Sequence, residues 1–142
     1  MRSIEILLVE DNPGDIRLTQ EAFKDGNLIN NLNVVRNGVE ALAFLRQKGT
    51  HQDAPRPDII LLDLNLPLKD GREVLAEIKA DDDLKRIPII ILTTSTNQED
   101  IFAAYDLHAN CYITKPLDMR RFIDIVRTIQ GFWFQIVRLP PE

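Results

Sequence analysis

Short runs of consecutive apolar residues alternate along the chain with longer stretches in which apolar residues return every three or four positions. Ile4 to Val9, Val34-Val35, Ile59 to Leu62, Ile89 to Leu92 and Cys111 to Ile113 are the short runs. The first, third and fourth are almost unbroken Ile, Leu and Val, as expected for strands covered on both faces of a parallel sheet. Between and after them lie stripes at helical spacing. These are Ile16, Thr19, Ala22 and Phe23; then Val39, Leu42, Ala43 and Leu45; then Val74, Leu75 and Ile78 behind Gly71. Ile101, Ala104 and Leu107 follow a candidate cap at Asn97, and Phe122, Ile125, Val126 and Ile129 form the last stripe. Five βα units in succession predict an α/β fold, a doubly wound five-stranded parallel sheet with right-handed crossovers. The flavodoxin-like strand order 2-1-3-4-5 is the natural choice for five strands. Gly49 to Pro57, with two prolines, reads as a surface loop.

Composition narrows the setting. The chain has 142 residues, 44% hydrophobic and 27% charged, which fits one soluble domain. Its net charge of −5 argues against a phosphate-backbone binder, so no nucleic-acid partner is expected. Cys111 is the single cysteine, which excludes an intrachain disulfide and a thiolate zinc site and points to a reducing compartment. No apolar run reaches the ~18 residues of a membrane span, and the first five residues do not open a signal peptide. The expectation is a cytoplasmic protein with no membrane partner.

In a parallel sheet the carboxyl ends of the strands share one edge, where ligands bind. Glu10 and Asp11 follow the first run, Asp63 the third, Thr93 and Thr94 end the fourth, and Lys115-Pro116 follow the fifth. Order 2-1-3-4-5 sets strands one and three side by side, so Glu10, Asp11 and Asp63 should converge. Like charges at ~4 Å repel by about 4 kcal/mol at a surface-like effective dielectric. Such a cluster raises a pKa or binds a cation. Oxygen ligands without thiolate or imidazole suit a hard divalent ion, Mg²⁺ best, with Mn²⁺ able to substitute. A carboxylate can also act as a nucleophile toward phosphorus, with Lys115 and the Thr93 hydroxyl holding phosphate oxygens.

Taken together, Leu8-Val9-Glu10-Asp11-Asn12, Leu62-Asp63-Leu64-Asn65-Leu66-Pro67 with Asp70-Gly71, Pro88 to Thr94, and Tyr112-Ile113-Thr114-Lys115-Pro116 resemble the receiver domains of two-component response regulators. The resemblance spans residues 3–130, with 131–142 as an aromatic tail and no output domain. It implies that Asp63 receives a phosphoryl group from a sensor histidine kinase and that Glu10, Asp11, Asp63 and the main-chain carbonyl of Asn65 ligate Mg²⁺. It further implies that Thr93, Thr94 and Lys115 serve the phosphate, that Thr93 and Tyr112 switch together, and that Asp15, Leu18, Pro116 and Leu117 meet the kinase. Glu10 stands where many members carry aspartate. The stretch Asp106 to Lys115 and the tail from Phe132-Trp133 through Leu139-Pro140 are similar to the small stand-alone regulators partnered with cyanobacterial phytochromes, which form dimers. The stripe Phe122, Val126, Ile129 runs on into Trp133, Ile136 and Val137, joined by Phe132, Phe134 and Leu139. It predicts a symmetric homodimer through the last helix and tail.

Each motif alone has a plainer reading. Glu10-Asp11 can be a solvated turn, Asp63-Leu64-Asn65 an Asx turn, and Lys115-Pro116 a helix start. Tyr112 can be a half-buried strand aromatic and Cys111 a small buried hydrophobe. His51 and His108 read as solvated, and Asp81-Asp82-Asp83 with Lys85-Arg86 as a polar helix end. Their joint placement at one edge favours the chemical reading. An aspartate-nucleophile phosphatase would carry a second acid two positions on, where Asn65 stands, so the chain is not expected to turn over a substrate. A flavodoxin-type phosphate loop would be repelled by Glu10-Asp11. A transcription factor is not expected, because the residues after Gln130 do not read as a DNA-reading domain. The expected outcome is a switch that catalyses only its own phosphorylation and dephosphorylation.

Overall fold

The computed structural model describes residues 4–24, 30–94, 100–101, 105, 109, 111–115, 124 and 127. Strands β1 (Ile4–Val9), β2 (Asn30–Val35), β3 (Ile59–Leu62), β4 (Ile89–Thr93) and β5 (Cys111–Thr114) form one sheet in the order β2-β1-β3-β4-β5. All pairings are parallel, with Val9 beside both Val35 and Leu62, and Thr93 beside Thr114. Helices α1 (Pro13–Lys24), α2 (Gly38–Leu45) and α3 (Gly71–Ala80) cross between strands. The predicted strand order and parallel sheet are thus observed.

Alternation along the central strands divides the core between two faces. Ile6, Leu8, Ile59, Leu61, Ile90 and Leu92 pack with Ile16, Ala22 and Phe23 of α1. Leu7, Val9, Ile60, Leu62, Ile89 and Ile91 pack with the buried faces of α2 and α3. Each fully buried side chain of this size contributes roughly 1.5–3 kcal/mol, which is why the central strands need no polar positions. The predicted stripes of α1 and α3 are the buried ones.

Three expectations need correction. β2 begins at Asn30, well before Val34-Val35, because an edge strand can pair its backbone while presenting polar side chains. Asn31 there donates to Glu5 Oε1 at 2.9 Å. The stripe of α2 is rotated: Val39 is 52% exposed, while Ala41 and Phe44 are buried with Leu42 and Leu45. Gly38, at the start of the helix, is buried so close to Lys69 that a Cβ there would lie 2.1 Å from its carbonyl oxygen. His51 is half-buried, its ring centroid 5.5 Å from that of Phe44 and its Nε2 shielded from solvent. The loop from Gly49 holds a short 3-10 turn, Gly49–His51. The Asp81 to Arg86 stretch is a helix end followed by another such turn, Leu84–Arg86. Among the described residues no helix is long and apolar enough to cross a membrane.

Candidate functional site

The ladder hydrogen bonds run to the last residue before the chemistry begins. The Glu10 N–H donates to Val35 O at 3.0 Å, Asp63 N–H to Val9 O at 3.0 Å, and Lys115 N–H to Thr93 O at 2.7 Å. Glu10, Asp63, Thr93 and Lys115 are therefore fixed by the sheet at their backbones. Glu10, Asp63, Thr93 and Lys115 are buried, and Asp11 is exposed.

The two oxygens of Asp63 have different partners. Oδ1 accepts from the Thr93 hydroxyl at 2.7 Å and from the Asn65 N–H at 3.1 Å, the latter closing an Asx turn. Oδ2 accepts from Lys115 Nζ at 3.0 Å. The same ammonium reaches Asp15 Oδ2 at 2.9 Å and bonds Glu10 Oε1. Glu10 Oε2 in turn accepts from the Asn12 N–H at 3.3 Å. The Asx turn is thus observed at Asp63, and it leaves the carboxylate in contact with Thr93 and Lys115.

Glu10, Asp11 and Asp63 can each offer one carboxylate oxygen, all within 4.8 Å of one another. An all-oxygen set with one ligand facing solvent fits a hard divalent cation that retains water. Burial, with the charge of Asp63 beside it, pushes the Glu10 carboxyl up to about 7 against the pull of Lys115. Burial also opposes ionisation of Asp63, but the Lys115 charge and the bonds from Thr93 and Asn65 outweigh it and hold this carboxyl below its ordinary value. Burial likewise opposes charge on Lys115, yet the bonds it donates to Asp15 and Glu10 and the nearby carboxylates hold it above the usual lysine range. The surroundings therefore favour the ionised form at Asp63 and the protonated form at Glu10.

The loop carrying Asp63 is clamped on both sides by glycine. A Cβ on Gly71 would lie 2.2 Å from Asp63 O and 2.6 Å from Leu64 Cα, and one on Gly38 would lie 2.1 Å from Lys69 O. Within this loop Leu68 is 82% exposed and has φ 67°, an uncommon left-handed conformation for leucine. Asp70 caps α3 by accepting from the Arg72 N–H at 2.8 Å. Arg72 then forks onto Asp100, Nε to Oδ1 at 2.7 Å and Nη2 to Oδ2 at 2.6 Å, with Nη1 on both oxygens of Asp70. Sequence reasoning missed this clamp and the Asp15–Lys115 contact. The partners lie 28 and 100 positions apart, and no local motif signals them.

Of the other predicted site residues, Asn65 and Thr94 are exposed at the edge, and Tyr112 is half-buried against the α2 and α3 face. Leu18 is partly buried against the α1 face core. Asn97, Ala104, Leu107, His108, Pro116, Leu117, Phe122, Ile125, Val126, Ile129, Phe132, Trp133, Phe134, Ile136, Val137 and Leu139 lie outside the described residues, as does the side chain of Cys111.

Residues 6–127 match the family model described as the response regulator receiver domain. The chain is 53% identical over 135 residues to the response regulator Rcp1 of Synechocystis sp., covering 95% of this chain and 92% of that protein. It is 40% identical over 136 residues to the probable methanogenesis regulatory protein FilR2 of Methanothrix harundinacea, covering 95% and 86%. Among solved structures, the phosphorylated cyanobacterial phytochrome response regulator RcpA superposes with a TM-score of 0.95 at 54% identity, covering 99% of this chain and 100% of that one. The Mn²⁺-bound form of Rcp1 gives 0.93 at 51% identity, covering 97% and 99%.

Proposed function

The chain belongs to the response regulator receiver family, and from that premise we propose that Asp63 takes a phosphoryl group from the phosphohistidine of a sensor histidine kinase. The observation that carries this reading is the buried Asp63 carboxylate held between Thr93 and Lys115, with Glu10 and Asp11 at its side. An Asp63 oxygen forms the new bond to phosphorus as the phosphorus–nitrogen bond of the donor breaks, and the electron pair leaves on the imidazole nitrogen. Mg²⁺, or Mn²⁺ in its place, would be held by Glu10, Asp11, Asp63 and the Asn65 carbonyl and would neutralise charge on the transferring group. Lys115 and Thr93 donate to the phosphoryl oxygens, with Thr94 at the exposed rim. As the Thr93 hydroxyl leaves Asp63 for phosphate, Tyr112 on the adjoining strand follows it inward.

The protein is then no turnover enzyme: it catalyses its own phosphorylation and dephosphorylation and signals through protein contacts in the cytoplasm. Similarity to RcpA, a cyanobacterial phytochrome response regulator, supports a phytochrome as the kinase. Leu18, Pro116, Leu117 and the exposed flank of Asp15 are its contact, and the helix and tail from Phe122 through Ile136 form the homodimer. Incubation with acetyl phosphate tests the core of this proposal. Intact mass should rise by one phosphoryl group with Mg²⁺ and stay unchanged with EDTA. Asp63→Asn should remain unlabelled, and full labelling of that variant would sink the assignment.

A further inference from the structure

Lys115 has three N–H donors and three carboxylate partners, Glu10, Asp15 and Asp63, so its hydrogen-bonding capacity is filled. Two of these partners have other work in the receiver reading, on which this inference rests. Asp63 becomes the phosphorylated group, and Glu10 belongs with Asp11 and Asp63 to the oxygen cluster that suits a divalent cation. Asp15 alone has no part in either.

Its local surroundings also leave the Asp15 side chain without a helical task. The sequence Asn12-Pro13-Gly14-Asp15 places a cap and an acidic third residue as in a capping box, which would return the Asp15 carboxylate to the Asn12 N–H. Half of that box forms: the Asp15 N–H donates to Asn12 Oδ1 at 3.1 Å. The other half does not, because the Asn12 N–H donates to Glu10 Oε2 and the Asp15 carboxylate turns to Lys115. The backbone of Asp15 is pinned in addition by the Thr19 hydroxyl, which donates to its carbonyl at 2.8 Å. A carboxylate on a fixed backbone, diverted from a cap to an ammonium 100 positions away, is well placed to orient that ammonium.

We infer that Asp15 is a positioning residue for Lys115: it holds the ammonium over Asp63 through one hydrogen bond that persists when the other two partners are redirected to metal and phosphoryl group. The remaining two hydrogens then point at the phosphoryl oxygens without Lys115 having to find its place anew at each transfer.

A double-mutant cycle on the labelling rate with acetyl phosphate and saturating Mg²⁺ tests this. In the wild-type background Asp15→Asn, which keeps the side-chain size and removes the charge, should slow labelling of Asp63 by about tenfold, as expected for losing one charge-assisted bond. In the Lys115→Ala background the same substitution should change the rate less than twofold, since the group it acts through is gone. An equal slowing in both backgrounds would overturn the inference in favour of a structural role for Asp15, and so would an unchanged rate in the first. Failure of the receiver reading looks different: wild type itself would then take up no Mg²⁺-dependent label.

Discussion

Lys115 and Arg72 each gather carboxylates near the loop that follows β3, but they settle their charges in opposite ways. Arg72 faces Asp70 and Asp100 with a planar fork whose hydrogens match their oxygens, and its side chain is 37% exposed. The bonds to Asp100 first, then those to Asp70, keep it firmly charged. Lys115 is 4% exposed and faces Glu10, Asp15 and Asp63, with Asp11 beyond them. One ammonium cannot balance the buried Glu10 and Asp63 together with the half-buried Asp15 and the exposed Asp11. The Arg72 cluster holds one cation between two carboxylates near solvent, and it ties α3 to the residue at position 100. The Lys115 cluster is short of positive charge, and that shortage is what a divalent cation and a phosphoryl transfer can use. Excess negative charge at a part-exposed cluster is screened by solvent and marks structure; the same excess buried marks chemistry.

Removing Lys115 should give the largest effect. Lys115→Met in EDTA leaves buried carboxylates without a counter-charge and should cost about 3–5 kcal/mol in urea unfolding at neutral pH, with stability returning as acid protonates them. A smaller cost than that of removing Arg72 would break the contrast. Gly71→Ala should follow at about 2–4 kcal/mol, because its Cβ would collide with the backbone of Asp63 and Leu64 that both clusters share. Thermal melts would show it, together with slower labelling of Asp63.

The pH dependence separates the clusters further. Folding raises the Glu10 carboxyl to about 7, so the metal-free fold retains a proton that the unfolded chain has released above its ordinary value of 4.5. Stability from this group is therefore fully present below that value and is lost as pH rises toward 7, by up to about 3 kcal/mol. Asp63, held low, acts at the acid end with the opposite sign: its contribution is present at neutral pH and lost as acid protonates it. Melts in EDTA between pH 4.5 and 8 should show the first slope, and Glu10→Gln should remove it. The smallest effect belongs to Arg72→Leu, about 1–2 kcal/mol, since a part-exposed fork is screened by solvent.

The sheet was legible from β1, β3 and β4 because strands buried on both faces leave unbroken apolar runs. β2 was half legible, since its first residues are polar and pair at an edge where only the backbone matters. The α2 stripe was misjudged at Val39, which is exposed; Gly38 beside it, which has no side chain to enter a periodicity count, is the residue packed against Lys69. The strand-end rule found Glu10, Asp11, Asp63, Thr93 and Lys115, which need only the order of the strands. Asp15 and Arg72 escaped it because they stand on helices, where their partners depend on packing that no local spacing encodes.

The destination of the phosphoryl group is the most direct test of Asp63 as acceptor. Protein labelled with acetyl phosphate and Mg²⁺, reduced with borohydride and digested, should contain homoserine in place of aspartate at position 63 and at no other acidic residue. Reduction at Glu10, Asp11 or Asp15 instead, or label that survives borohydride on a different side chain, would contradict it.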